Sequence, residues 1–167
     1  MLYEITVTQY SKMLDNLSLI LDKAAQYAET KKFNVEVLLN SRLAPDQFNL
    51  TRQVQIACDT AKFGAARVCG KDAPSHPDTE VTLVELQARI KTVQDYLASF
   101  KSEDFAGAEE RHVSQPRWEG KYLTGTEFVI EHSLPNIYFH IATAYSILRS
   151  NGVDLGKKDF LGNMPLK

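Results

Sequence analysis

Apolar residues recur every three or four positions through four separate stretches of this chain, and that period restricts the fold more than any other feature of the sequence. The first stretch runs from about Val7 to Lys31, with Met13, Leu14, Leu17, Ile20, Leu21, Ala24 and Ala28 on one stripe. The second runs from about Leu50 to Cys69 and ends at Gly70, suited to a left-handed helix terminus. Its main face is built of small residues: Val54, Ala57, Cys58, Ala61, Ala65 and Val68. Ile56 and Phe63 lie on another side with Thr60 between them, so this helix is expected to be covered on two sides. The third stretch, about Val81 to Phe100, starts with the capping-box spacing Thr82-x-x-Glu85. The fourth, about Thr126 to Asn151, starts with a second one, Thr124-x-x-Glu127. Pro135 lies inside this fourth pattern and lacks the N–H that would bond to Glu131, so a kink is expected there.

The segments between these stretches are short or broken by proline and glycine. A brief connecting helix is expected at Val35 to Leu39, and a loop from Lys71 to Thr79 around Pro74 and Pro77. The stretch from Glu103 to Tyr122 has the least helical pattern and reads as a long loop or a short β-hairpin. The tail after Gly152 carries Phe160 and Leu161, which suits packing across the bundle. The expectation is one all-α domain over residues 1–167: an antiparallel four-helix bundle with a kinked fourth helix. The connection between the third and fourth helices is long enough to cross the bundle end. A chain of 167 residues buries roughly 70% of its unfolded surface and needs no staples.

Composition excludes several classes of function. The formal net charge of −2 gives no field to draw nucleic acid or an anionic membrane. No apolar run approaches the ~18 residues of a membrane span, and the N-terminus lacks the basic and apolar regions of a signal peptide. Cys58 and Cys69, eleven positions apart on one helix, are separated by about 16 Å, too far for a disulfide. Two free thiols fit a reducing, cytoplasmic setting. The glycines and lysines of residues 152–158 lack the spacing of a phosphate loop.

The candidate chemistry lies on the fourth helix. His132, Asn136 and His140 recur at intervals of four, which aligns them on one helical face. His132 and His140 are about 12 Å apart on a straight helix, so the two cannot hold one ion alone. A further ligand must come from another helix. Asp59, between Ile56 and Phe63, is the best-placed carboxylate and needs a partner if buried. The alternative for His140 is a core histidine hydrogen-bonded to Asp59, Tyr138 or another helix. For His132 a solvated face or helix end is expected, and for His76 and His112 exposed loops. Phe48, Trp118, Tyr122, Phe128, Phe139 and Tyr145 are expected in the core or an interface.

The block from Leu134 to Gly152, followed by Leu155 to Gly162, resembles the C-terminal signature of an uncharacterised bacterial family of the DinB-like four-helix-bundle superfamily. Gln53 to Asp59 and the N-terminal helix resemble the same family, so the likeness covers essentially the whole chain. The resemblance implies a crossover connection and a homodimer. It also implies a divalent metal (Zn, Ni, Mn or Fe) held by one histidine of the second helix and a His-x-x-x-His pair of the fourth. Thiol-transferase or hydrolase-like activity would follow from that metal. Here His140 matches the second histidine of the pair, Asn136 stands at the first, and the second helix offers Gln55 or Asp59. Such oxygen donors suit harder ions than zinc. Two readings follow: a metal-poor bundle that binds a small molecule or a partner, and a divalent-metal enzyme using His140 and Asp59 with Asn136 or His132 assisting.

Overall fold

A computed structural model describes residues 1–167. The helices fall where the apolar periods put them. Helix α1 covers Tyr10–Lys31 and is preceded by a π-turn at Glu4–Gln9, so the first element begins earlier than Val7. A single turn, α2, spans Glu36–Leu39. Helix α3 covers Leu50–Cys69; Asn49 caps its start by accepting from the Arg52 N–H, and Gly70 ends it at φ +63°. Helix α4 runs from Leu83 to Ala98 and carries the expected capping box of Thr82 and Glu85. The long connection holds a two-residue antiparallel pair, β1 (His112–Val113) against β2 (Leu123–Thr124), with a tight turn at Pro116–Trp118 between them.

The fourth long element is not one α-helix. It begins as α5 (Gly125–Glu127), where Thr124 and Glu127 form the second capping box. It then widens into a π-turn at Phe128–Ser133 and continues as α6 (Leu134–Ser150). Pro135 sits in the first turn of α6, where its missing N–H is least costly, so the irregularity lies just ahead of the proline. A final turn, α7 (Lys157–Leu161), packs on α1, and the Asn16 side chain donates to the Phe160 carbonyl at 3.0 Å.

Four long helices enclose the core. The strongest contacts pair α3 with α6, α3 with α4 and α1 with α4, and α1 also meets α6. The ring order is therefore α1, α4, α3, α6, with α1 diagonal to α3 and α4 diagonal to α6. The connections 32–49 and 99–124 both cross a bundle end. The small face of α3 makes this packing possible: Val54, Ala57, Cys58, Ala61, Ala65 and Val68 are all fully buried. Gly64 brings α3 closest to its neighbours, because a Cβ there would stand 2.6 Å from Ser133 Oγ and 2.8 Å from the Tyr10 ring. Both cysteines are free and buried. No helix is long and apolar enough to cross a membrane.

Candidate functional site

The second face of α3 does not pack against another long helix along its whole length. Ile56, Thr60 and Phe63 instead line a cavity of about 340 Å³. The π-turn and first turn of α6 supply the opposite wall through Phe128, His132, Ser133 and Asn136. Gln115 and Arg117 reach in from the connection between β1 and β2. Arg52, Asp59 and Arg67 complete the α3 side.

Three of the four candidate residues, Asp59, Asn136 and His132, line this one cavity. His140 does not. It lies a turn further along α6 and is buried, with its Nδ1 2.7 Å from Gln53 Oε1. The Gln53 amide nitrogen donates to the Phe48 carbonyl at 3.1 Å, which fixes the amide orientation. Gln53 Oε1 is therefore an acceptor and His140 Nδ1 carries the proton. Burial, and secondarily the Arg52 charge, push the His140 pKa down to about 4. His140 is thus a neutral core histidine bonded to α3, and its partner is Gln53 rather than Asp59 or Tyr138.

Asp59 has other partners. Its Oδ1 meets Arg89 Nη2 at 2.9 Å and Lys62 Nζ at 3.0 Å. Arg89 is buried and also bonds Glu80, Asp78 and the Pro77 carbonyl, tying the loop before α4 to α3. Burial favours the protonated form of Glu80, but bonds from Arg89, the backbone and Gln55 outweigh it and hold the carboxyl below its ordinary value. Lys62 is buried, bonded to Asp59, and 3.2 Å from His76 Nδ1. His76 is thus half-buried against a cation rather than free in its loop. His112 is exposed and stacks on Tyr122 at 3.7 Å between ring centroids.

His132 corrects the expectation of a solvated helix end. Its ring stacks on Phe128 at 5.3 Å and meets the edge of Trp118 at 5.6 Å. Arg117 Nη2 lies 2.6 Å from His132 Nε2. A guanidinium can only donate, so Nε2 accepts and the ring proton sits on Nδ1. That Nδ1–H is buried without an acceptor. Burial, then Arg117 and Arg67, hold the His132 pKa below its ordinary value. Phe48, Tyr122 and Phe139 lie outside the core, each more than half exposed.

This donor set does not fit the divalent metal that the resemblance implies. His132 has no free nitrogen lone pair, because Arg117 occupies Nε2 and Nδ1 is protonated. Asp59 is already neutralised by two cations. Asn136 donates to Thr60 Oγ1 at 2.7 Å. His140 keeps a lone pair on Nε2, but one imidazole nitrogen is a single ligand where a bound divalent ion needs three or four. Nowhere do three His, Cys, Asp or Glu side chains gather in an arrangement that could hold a metal ion.

Sequence reasoning passed over Arg52, Arg67, Arg117, Gln115 and Ser133. A signal was present for two of them. Residues 52, 56, 60, 63 and 67 follow the helical period, so Arg52 and Arg67 bracket the Ile56–Thr60–Phe63 face.

Comparison with known proteins agrees with the fold. Residues 2–161 match the family described as Domain of unknown function (DUF1993). A DinB family member protein from Shewanella denitrificans, known from a crystal structure, is 63% identical. The match covers 100% of this chain and 95% of that one, with a TM-score of 0.97. No curated protein matches.

Proposed function

Because the chain belongs to the DUF1993 family and shares the fold of a DinB family member, and because its polar interior opens into a cavity, we propose that it is a small-ligand-binding helical bundle. The cavity between α3 and the turn at 128–136 carries this reading. Its volume of about 340 Å³ suits a small organic molecule. Its walls combine apolar surface from Ile56, Phe63 and Phe128 with polar groups from Thr60, Ser133 and Asn136. The ligand enters an organic pocket in which no metal takes part. The homodimer implied by the resemblance is proposed alongside.

The test is NMR with a mixture of small neutral, anionic and cationic fragments. Chemical-shift changes are expected at Ile56, Thr60, Phe63, Phe128 and Asn136. Changes confined to other surfaces, or no changes with any fragment, would overturn the reading.

A further inference from the structure

The charges around the cavity do not balance. Asp59, the acidic residue on the lining, is engaged by Lys62 and Arg89 behind it. Arg52 is paired with Asp78. Arg67 and Arg117 have no carboxylate partner at all. The Arg67 guanidinium lies over the Phe63 ring, 4.6 Å from its centroid, and Arg117 reaches only the His132 ring. Two like charges are thus brought to one small cavity in a chain whose overall charge is −2. Burial and the charge of Arg117 both press on Arg67, holding its pKa below the ordinary guanidinium value. Two guanidinium groups without a carboxylate partner thus line a cavity whose one carboxylate is already engaged.

We infer that the cavity takes a small organic anion, its carboxylate or phosphate oxygens held by Arg67 and Arg117 and its apolar body set against Phe63 and Phe128. This deepens the ligand-binding reading and rests on it. A guanidinium presents its donors as a planar fork that matches an oxyanion in two bonds at once. An anion would also relieve the repulsion between the two arginines. The three apolar wall residues leave room for a compact hydrocarbon or aromatic portion.

Isothermal titration with benzoate and phenyl phosphate, against the neutral benzamide and benzyl alcohol, tests the inference. At least one anion is expected to bind about tenfold or more tighter than either neutral probe, the difference that one charge-assisted hydrogen bond supplies. The tighter of the two anions identifies the oxyanion. The R67Q/R117Q variant should lose about tenfold or more of that affinity, and its ratio of anion to neutral affinity should fall toward one. Arg117→Gln alone, on an exposed connection, keeps the test decisive if the double variant fails to fold. Equal binding of neutral and anionic probes, or anion binding indifferent to both variants, would overturn the anion inference and leave the ligand-binding reading standing. The same holds if neither anion binds while neutral or cationic fragments shift the cavity resonances. Failure of every fragment and probe would overturn both.

Discussion

Replacing Arg89 with methionine is expected to destabilise the fold by about 3–5 kcal/mol, the usual cost of stranding the partners of a buried ion pair. The Arg89 side chain is 3% exposed, and its guanidinium bonds Asp59, Asp78, Glu80 and the Pro77 carbonyl. Methionine preserves much of the stem packing but none of these bonds. Asp59 would keep Lys62, whereas Glu80, 12% exposed, would keep the Gln55 amide and a backbone bond but no cation. The loop 71–82 would lose its bonds to Arg89 and keep those to α3 through Arg52–Asp78 and Gln55–Glu80. Urea unfolding measures the loss as a lower midpoint at similar slope. Adding Glu80→Gln to the methionine variant should restore part of the stability, because the stranded charge is then gone. A loss under about 1 kcal/mol for R89M would show that the network is solvated rather than structural.

Acidification should expose a second large effect through His140. Its folded-state pKa of about 4 lies below the ordinary value of 6.5 that the unfolded chain restores. Above pH 6.5 neither state binds the proton and the group contributes nothing to pH dependence. Between pH 6.5 and about 4 the unfolded state takes the proton and the folded state refuses it, so stability falls as pH falls. The full effect is about 3 kcal/mol, reached near pH 4. The pKa values of His76 and His132 are also held down, by burial first and by neighbouring cations second, and act in the same direction. A comparison of wild type with His140→Gln isolates the one residue. The stability difference between them should shrink by about 3 kcal/mol from pH 7 to pH 4. Parallel pH curves would contradict the assignment of His140 as a buried neutral base.

Most of the helical framework could be read from the sequence because burial and period coincide there. The stripes of α1 and α3, the glycine end at Gly70 and both capping boxes are local devices, each set by side chains a few positions apart. The π-turn at Phe128–Ser133 was not legible. Its sequence carries an ordinary helical period, and only the folded chain brings Ser133, at the end of the turn, against Gly64 and Tyr10. Only His132 lies in that turn; Asn136 and His140 both lie in the regular α6 and both face α3, bonded to Thr60 and Gln53. His132 and Asn136 line the cavity, and His140 turns to Gln53.

The candidate site was legible in part for a similar reason. Asp59, Asn136 and His132 attract notice as side chains of metal-site chemistry, and all three do line the cavity. Their true partners, Arg89, Lys62, Thr60 and Arg117, come from distant segments or from faces that read as solvated surface. Arg117 in particular reaches His132 only because the connection between α4 and α5 folds back over the cavity through the β1–β2 pair. No spacing rule relates the two residues.

An organic-ligand pocket and a metal centre differ in one respect here: in the first, the candidate metal ligands Asp59, His132 and His140 are already engaged by other side chains. Elemental analysis tests that engagement most directly, on untagged protein incubated with Zn, Ni, Mn and Fe and then desalted. The arrangement of Arg117 on His132, Lys62 and Arg89 on Asp59, and Gln53 on His140 predicts that none of the four metals is retained in stoichiometric amount. Retention of one equivalent by wild type, lost in His140→Ala, would contradict it.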